Sequence, residues 1–316
     1  MKSPVKQFAL PFLVLANIMF ATEFPAVKLT VGAVGPWMLP FWELLLGALV
    51  LLPIFYLEYR RTERTPFIVL RELTSRPNLI LFILCAVTAL TTNVFLMWGI
   101  KLAQASDAAL LSLTIPVLAA VLAWMFLRER LTVLQLIAFF IAALGAVVMS
   151  SPRFRGAGPM GLENMQGDVL IFLSCASSAL YIVVSKPLLK KFTACELLIP
   201  SWLAVVVIFA IGISGLRPTF WAEIQNYQFR SWVGIIVVGF VSKGLAMACF
   251  LSVLRYLDVA QVVLSTYLLP LFGVLLSVVV AHESISLGMV LGGILVLAAN
   301  VVMTGLPRMR KKVAAL

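Results

Sequence analysis

The sequence is poor in charge and has a single histidine. Only 12% of its 316 residues are charged, whereas 62% are hydrophobic. A soluble fold of this composition would leave far more apolar surface in water than globular proteins tolerate. His282 alone cannot form a multi-histidine metal site or a buried catalytic triad. We therefore expect a protein that is dissolved in the lipid bilayer and is not an enzyme.

Cysteine is also scarce. The four cysteines, Cys85, Cys175, Cys195 and Cys249, lie in or beside apolar runs without metal-ligand spacing, which is typical of small core residues. No glycine-rich phosphate loop precedes a lysine, so nothing indicates an ATP-driven motor. We expect no cofactor and no metal. No signal-peptide cleavage site follows the first apolar run, so we expect this run to be a transmembrane helix that is not removed.

What the sequence has in quantity is long apolar runs. They are repeatedly about 20 residues long, the length of a helix that crosses the hydrocarbon core of a membrane. The runs are continuous rather than alternating, which favours helices over a barrel. We predict an all-α integral membrane protein with ten transmembrane helices. The spans are Phe8–Leu29, Pro36–Leu57, Asn78–Ile100, Ala108–Phe126, Val133–Ser150, Gly167–Leu188, Leu197–Leu216, Trp232–Leu254, Gln261–Val280 and Leu287–Thr304.

The charge of +11 is explained by membrane orientation, so we do not expect nucleic acid as a partner. With both termini in the cytoplasm, seventeen lysines and arginines lie inside and five outside. The positive-inside rule selects this orientation. We expect a multi-pass protein of a bacterial inner membrane. Its longest loop, Glu58–Pro77, is cytoplasmic and carries five arginines.

One stretch of the chain occurs twice. Leu111–Thr132 is repeated as Ser265–Ser286 at an offset of 154 residues, which pairs Pro116 with Pro270 and Glu129 with Glu283. Each copy belongs to a unit of five spans, and an odd number of spans inverts the second unit. We predict a first repeat over 1–150, a linker over 151–166 and a second repeat over 167–316, arranged around a central cavity.

Four charged residues fall inside predicted spans: Glu23, Lys28, Glu43 and Lys243. A charge at mid-membrane costs about 2.5 to 3.5 kcal/mol, so each needs a partner, a water-filled cavity or a route to the interface. Lys243 lies near the centre of its span, and its counterpart in the first repeat is Ala89. Such asymmetry is what recognition of an asymmetric substrate would produce. The alternative is a structural pair with Glu23 or Glu43.

Glu23 has Tyr181 as its counterpart at an offset of 158, and we expect both to face the central space. The carboxylate of Glu23 could couple protons or bind a cationic group. The alternative is neutralisation by Lys28, five residues on, which is a poor helical spacing. Lys28 itself pairs with Lys186 at the same offset. The pattern does not place Glu43.

The repeated prolines predict weak points near mid-membrane. Pro116 and Pro270 cannot donate to the carbonyls of Ser112 and Thr266, which leaves a free acceptor beside a hydroxyl in each helix. Interrupted helices of this kind line substrate sites in transporters. We therefore expect Pro116 and Pro270 to act as hinges, with a mere packing kink as the alternative. Glu129 and Glu283 would serve as turn and helix-start fixtures or as gates.

The remaining candidates for the lining of the cavity are polar, aromatic or sulfur-containing residues on the same spans. Polar groups among such surfaces suit a partly apolar metabolite, although ordinary helix packing is an alternative for each. The complete set of predicted substrate-binding residues is Glu23, Asn93, Trp98, Ser112, Tyr181, Lys243, Met247, Thr266 and Tyr267.

The doubled five-span unit and the Pro-x12-Glu pattern resemble the drug/metabolite transporter superfamily, specifically its EamA-type ten-helix members. The resemblance covers Phe8 to Thr304 and is strongest over Ala108–Ser150 and Gln261–Thr304. It implies two inverted five-helix halves around a central cavity, alternating access, and most often export of metabolites such as amino acids. Where members usually carry an arginine early in the second span, this sequence has Glu43.

A related family of small multidrug exporters has an essential glutamate eight residues before a lysine. Counting back from Lys28 gives Phe20, so this role is not carried over. We expect a secondary transporter that exports an amino acid or similar zwitterion, with Lys243 meeting the carboxylate and Glu23 an amine or a proton. Protons or another coupling ion would be a further partner, and the protein would be a monomer or homodimer. Alternatives are proton-coupled efflux of cationic drugs, exchange of organic anions or sugar phosphates, and a non-transporting scaffold.

Overall fold

The computed structural model describes residues 9–30, 33–35, 37–62, 65–102, 111–129, 131–154, 162–213, 215, 221–269, 272, 291–292, 294–295 and 297–299. Every regular element among these residues is helical. The α-helices are α1 (Ala9–Ala21), α2 (Glu23–Lys28), α3 (Met38–Thr62), α4 (Pro66–Leu73), α5 (Arg76–Leu102), α6 (Ile115–Leu127), α7 (Val133–Phe154), α8 (Leu162–Leu189), α9 (Ala194–Ile208), α10 (Phe229–Ile236), α11 (Met247–Leu254) and α12 (Val259–Leu264).

Short segments of other helical type join these elements. A 3-10 turn, Ser112–Thr114, precedes α6, and another, Ser265–Tyr267, follows α12. A π-helix, Val237–Ala246, connects α10 to α11 into one continuous rod. A shorter π-helical turn, Phe209–Ile213, extends α9.

The predicted spans are matched by apolar helices wherever the structure describes them. Five helical stretches are long and apolar enough to cross a membrane, and three more are apolar but shorter. Together they fall on the first eight predicted spans, and α12 begins the ninth. Most of the ninth and tenth predicted spans, including Pro270 and Glu283, lies outside the described residues.

The helix α7 shows how composition gives a lipid-facing surface. Val133 and Phe140 are each 73% exposed, and Leu144 continues the same row, whereas Ala138 and Ala142 are fully buried. Spacings of three, four and seven residues place the large side chains on one side of the helix and the small ones on the other. The small residues allow close packing on neighbouring helices, and the large ones face the hydrocarbon.

Capping boxes begin two of the spans. In α9, the Thr193 hydroxyl accepts the Glu196 amide at 3.3 Å and the Glu196 carboxylate accepts the Thr193 amide at 2.7 Å. In α7, Thr132 and Gln135 exchange the equivalent bonds at 3.3 and 2.7 Å. Each box satisfies two of the amide groups that a helix start leaves unpaired, and such groups are costly near hydrocarbon.

The predicted loop Glu58–Pro77 contains a helix, α4, that the sequence reading missed. The Thr65 hydroxyl caps it by accepting the Ile68 amide at 3.2 Å. Val69 is buried against the bundle, whereas Phe67 on the outward face is 75% exposed. At eight residues the helix is too short to cross a membrane. Its amphipathic pattern is typical of a segment that lies in the interface plane.

The two halves of the chain are held together by contacts that come in related pairs. α5 packs along α8, and the counterpart contact joins the π-helix and α11 to α1. α3 packs on the π-helix, and the counterpart contact joins α9 to α5. α3 against α9 and α6 against α12 are contacts between equivalent helices of the two halves. The fold is therefore built from two repeats that pack across an internal pseudo-two-fold axis.

Pro116 lies at a break between two helix types and not within a continuous α-helix. It is buried at the start of α6, directly after the 3-10 turn. The predicted free carbonyl of Ser112 accepts the Ile115 amide, so the expectation of an open acceptor there is wrong. The chain tightens into a 3-10 turn, which supplies the hydrogen bond that Pro116 cannot donate.

Candidate functional site

Three charged side chains from three helical segments meet inside the bundle. The Lys243 ammonium lies 3.8 Å from Oε1 of Glu23 in α2 and 3.6 Å from Oε2 of Glu43 in α3. The structure therefore forms both ion pairs that the sequence analysis offered as the alternative for Lys243, and it gives Glu43 the position that the sequence did not supply. We call Glu23, Glu43 and Lys243 the charged triad.

The three side chains of the triad are buried to different extents. The side chains of Lys243 and Glu23 are 20% and 25% exposed, whereas that of Glu43 is 1% exposed. Glu43 is thus a buried counter-charge, while the side chains of Lys243 and Glu23 are partly exposed. With all three groups ionised the triad carries a net charge of −1. This excess of negative charge attracts cations.

The ion pairs of the triad are loose. Separations of 3.6 and 3.8 Å exceed the 2.7–2.9 Å of a close charge-assisted hydrogen bond. Neither oxygen of Glu43 makes a hydrogen bond among the described residues. Glu23 is held more firmly, since the Ser242 hydroxyl donates to its Oε2 at 2.5 Å. The Lys243 ammonium thus makes no close charge-assisted hydrogen bond to either carboxylate.

The backbone that presents Lys243 is unusual. Lys243 and Ser242 lie in the ten-residue π-helix Val237–Ala246, whereas π-helix normally occurs as single turns and often at functional sites. Glycines allow α3 to approach this segment. A Cβ atom on Gly47 would lie 3.3 Å from Cβ of Lys243 and 2.8 Å from the Trp202 ring. Close packing on α3 thus positions the lysine beside Glu43.

Several predicted lining residues lie elsewhere. Asn93 is buried, and its amide donates to the Ala89 carbonyl of its own helix at 2.8 Å. Tyr181 is 3% exposed within the hydrophobic core, where its hydroxyl makes no hydrogen bond to any described residue. Met247 begins α11 and packs against the core. The binding roles of these three residues stay predictions.

The residues beside the repeated prolines connect the two halves. The Tyr267 hydroxyl donates to the Leu113 carbonyl at 3.1 Å, and these positions are each other's repeat equivalents at the offset of 154. The Thr266 hydroxyl is satisfied by the Val263 carbonyl at 2.7 Å. Ser112 opens the first 3-10 turn and is partly buried. These residues lie at the pseudo-two-fold axis, which suits the predicted hinge, while a role in binding stays a prediction.

Of the tryptophans that pack edge to face in the structure, only Trp98 was predicted from the sequence as a site residue. Trp37 meets Trp98 edge to face at 5.6 Å, and Trp232 meets Trp42 at 5.3 Å and Tyr227 at 5.5 Å. Trp42 directly precedes Glu43 in the chain. Burial raises the pKa of Tyr227 to about 12, which keeps its hydroxyl protonated. The signal in the sequence was the recurrence of tryptophan near span ends, a pattern typical of membrane interfaces.

Glu129 acts on the start of another helix. Arg128, with a φ of 56°, ends α6 in the left-handed conformation that commonly closes helices. The turn directs Glu129 toward α12, where its Oε2 accepts the Val259 amide at 2.9 Å. This confirms the predicted helix-start role for Glu129, although the helix that it caps belongs to the second half. Glu283, its repeat equivalent, lies outside the described residues.

Apolar helices long enough to span a membrane, a doubled architecture and reachable buried charges define an integral membrane transporter. The chain matches the model of the EamA-like transporter family over residues 7–151 and 165–305, and it belongs to that family. This confirms the resemblance that the doubled unit and the Pro-x12-Glu pattern indicated. It also agrees with the absence of an enzyme signature in the sequence.

Relatives and a solved structure agree with this assignment. The chain is 21% identical to an uncharacterized transporter of Clostridium kluyveri over 92% of this chain and 91% of that protein. It is 26% identical to a probable terminal-alkyne amino-acid exporter of Streptantibioticus cattleyicolor, over 82% and 80% of the two chains. A crystal structure with 21% identity covers 96% of this chain and 99% of its own, with a TM-score of 0.78, and supports the fold.

Proposed function

We propose that the protein exports an amino acid or a similar zwitterion by alternating access, with the charged triad as its binding site. The two repeats rock about the helices that carry the paired prolines. No nucleotide-binding motif supplies energy, so the movement is driven by the substrate gradient or by a coupling ion. The direction of transport and the substrate class are both part of this proposal.

The observation that carries the proposal is the position of Lys243 between two carboxylates at distances too long for close hydrogen bonds. A zwitterion offers one carboxylate and one ammonium group. Its carboxylate would bind Lys243, and its ammonium group would bind the Glu23 carboxylate that Lys243 releases. Two ion pairs before binding then become three, because Lys243 keeps Glu43 as a partner, and no charge of the triad or the substrate is left unpaired, which limits the desolvation penalty.

The exporter of Streptantibioticus cattleyicolor supports the substrate class and the direction, since its name describes an amino-acid exporter. The contacts of Trp42, the residue before Glu43 in the chain, with Trp232 and of Trp232 with Tyr227 support a substrate with an apolar side chain. Edge-to-face tryptophans give rigid apolar walls, and polar groups fix orientation, which is the usual composition of a small-molecule site.

The test begins with the purified protein in detergent and a panel of the twenty common amino acids and related zwitterions. A compound that binds the folded state raises the unfolding temperature, and the rise grows with the logarithm of its concentration once that concentration exceeds Kd. Hits are then tested by counterflow in proteoliposomes. We expect saturable counterflow of at least one zwitterion, and at least a tenfold loss of counterflow when the ammonium of Lys243 is removed.

The variant for this test is the double substitution Lys243→Met and Glu43→Gln, which removes the lysine without leaving a buried carboxylate unpaired. Lys190→Met is the matched control, because Lys190 is exposed near the end of α8. Wild-type counterflow by the folded double variant would contradict the proposed role of Lys243. Counterflow of no zwitterion would contradict the substrate class.

A second candidate is proton-coupled efflux of organic cations, favoured by the excess of carboxylates in the triad. In this case Glu23 would bind the cation and release a proton in exchange. Tetraphenylphosphonium efflux that depends on pH, and that Glu23→Gln abolishes, would support it. If Glu23→Gln left the flux of tetraphenylphosphonium unchanged, proton-coupled efflux of organic cations through Glu23 would be excluded.

A further inference from the structure

A cavity lies where two membrane-spanning helices end, away from the charged triad in the chain. It has a volume of about 650 Å³ and is lined by residues of α4, of the start of α5 and of the turn that follows α8. This volume is within the range of about 300 to 1,000 Å³ that is usual for small-molecule sites. The spanning stretches begin at Arg76 in α5 and end at Leu189 in α8. The cavity is therefore at the level of a membrane interface, where lipid headgroups lie.

Hydrogen bonds fix the polar wall of this cavity. Asn78 is buried, and its amide donates to the Glu72 carbonyl at 2.9 Å. The Ser75 hydroxyl donates to the same carbonyl at 2.6 Å. The Asn78 side-chain oxygen accepts the Lys191 ammonium at 2.9 Å, which joins the second half of the chain to the first. The lysine is therefore positioned at the cavity by a buried partner.

The ionisable groups of the lining carry an excess of positive charge. Arg71 and Lys191 both line the cavity and are exposed, and Glu72 is the one carboxylate of the lining. Arg76 and Lys190, which are next in the chain to lining residues, are exposed as well. Arginine and lysine are the residues that bind phosphate groups, arginine through its planar fork and lysine as a point charge. The cavity therefore suits a phosphate-bearing anion.

Beside these charges, α4 exposes an apolar surface. Phe67, Ile68 and Leu70 are exposed, whereas Val69 faces the bundle and is buried. The spacing of three and four residues places Phe67 and Leu70 on the same side of the helix as Arg71. A short helix with exposed apolar residues next to a cation is typical of a segment that lies at the boundary between headgroups and acyl chains.

We propose that this cavity binds an anionic phospholipid, with the phosphate between Arg71 and Lys191 and an acyl chain along Phe67 and Ile68. A free anion would use the cations but would gain nothing from the apolar surface of α4. A zwitterionic phospholipid would gain less from the excess of positive charge. In the predicted orientation the cavity lies in the cytoplasmic leaflet, whose surface is negative. The proposal requires membrane embedding but no particular transport substrate.

Native mass spectrometry of the full-length protein in detergent tests this proposal, because it counts the lipids bound to each molecule. The probes are phosphatidylglycerol and phosphatidylcholine with the same acyl chains, and glycerol 3-phosphate as a free anion. We expect phosphatidylglycerol to bind at least tenfold more tightly than phosphatidylcholine and to resist displacement by an equal concentration of glycerol 3-phosphate. Equal affinity for the two lipids would overturn the proposal. Displacement by glycerol 3-phosphate would also overturn it, since the cavity would then bind a free anion.

Charge-neutralising variants show whether the lipid binds at this cavity. A lysine or arginine beside an anionic lipid surface contributes about 1 kcal/mol, or about fivefold in affinity. We therefore expect Arg71→Gln with Lys191→Gln to weaken phosphatidylglycerol binding at least tenfold. The variant that exchanges the two cations, Arg71→Lys with Lys191→Arg, should keep most of the affinity. Loss of binding in the exchanged variant equal to that in the neutralised one would overturn the role of charge.

The matched control is Arg60→Gln with Arg128→Gln, which removes two charges from exposed positions that do not line the cavity. It should change the affinity for phosphatidylglycerol less than twofold, and a loss as large as that of the cavity variant would overturn the proposal. If the cavity variant does not fold, Arg71→Gln alone leaves the Lys191–Asn78 hydrogen bond in place. We expect this single change to weaken binding about fivefold, and unchanged binding would overturn the proposal.

Discussion

At the scale of single residues, the effect of changing Lys243 depends on its buried ion-pair partner Glu43. The Glu43 side chain is 1% exposed and has Lys243 as its ion-pair partner at 3.6 Å. Removal of one partner of a buried ion pair is costly because the other charge stays in a low-dielectric environment. A loss of transport in a Lys243 variant could therefore report unfolding and not lost binding, which is why the proposed test replaces both residues.

A double-mutant cycle measures this dependence. We expect Lys243→Met alone to lower the free energy of unfolding by about 3 to 5 kcal/mol, and addition of Glu43→Gln to restore more than half of the loss. Chemical denaturation of the detergent-solubilised protein is the measurement. Additive effects of the two substitutions would show that the Glu43–Lys243 pair does not couple energetically. Lys190→Met, at an exposed position, should change stability by less than about 0.5 kcal/mol.

At the scale of elements, the π-helix Val237–Ala246 depends on the glycines that let α3 pack against it. Gly47 of α3 touches the segment beside Lys243, and Gly244 of the π-helix faces Val50 of α3. With side chains at these points the two segments would have to separate. The charged triad spans this contact, because Glu43 lies on one side of it and Lys243 on the other. The distance between the two charges therefore depends on how closely α3 packs against the π-helix.

Gly47→Ala tests this connection. The added Cβ would lie 2.8 Å from the Trp202 ring, so we expect a loss of about 1 to 3 kcal/mol in stability and reduced counterflow. Gly212→Ala is the matched control, since no atom lies within 4 Å of its added Cβ. It should be neutral or slightly stabilising through higher helix propensity. Equal thermal stability of the two variants would argue against the close packing of α3.

At the scale of the whole molecule, the chain is two related halves that meet at equivalent positions. The Tyr267–Leu113 hydrogen bond, the paired 3-10 turns and the paired helix contacts all follow from the repeat. Sequence-equivalent interfaces between two halves are the arrangement that the proposed rocking requires, because they can offer alternative packings of similar free energy. The orientation of this assembly in the membrane is a prediction from the distribution of lysine and arginine.

Reporter fusions test the orientation. We expect a fluorescent protein that matures only in the cytoplasm to be active after residue 316 and within Glu58–Pro77, and a periplasmic phosphatase to be active after residue 221. Phosphatase activity at the C-terminus would reverse the predicted orientation of the protein in the membrane. It would leave the packing of the helices unchanged.

Much of the fold could be predicted from the sequence because the bilayer imposes simple rules. Span length, continuous apolarity and the repeat follow from the need to satisfy every backbone group within hydrocarbon, and these features are local. The capped helix α4 was missed because it is short and lies in a charged loop. The free acceptor at Ser112 was predicted wrongly because the chain could satisfy it by tightening into a 3-10 turn, which a proline pattern does not reveal.

The sequence by itself determined the class of protein and the repeat, and it singled out Lys243 and Glu23 as candidates, since a charge within an apolar run can be recognised without knowledge of the fold. Only the tertiary structure decided the partners. Glu43 joined the charged triad and Glu129 capped a helix of the other half because residues 130 or more positions apart meet only after the helices pack. Periodicity encodes which side of a helix is apolar, but the opposing helix is chosen by the packing of small residues, which is a property of the whole bundle.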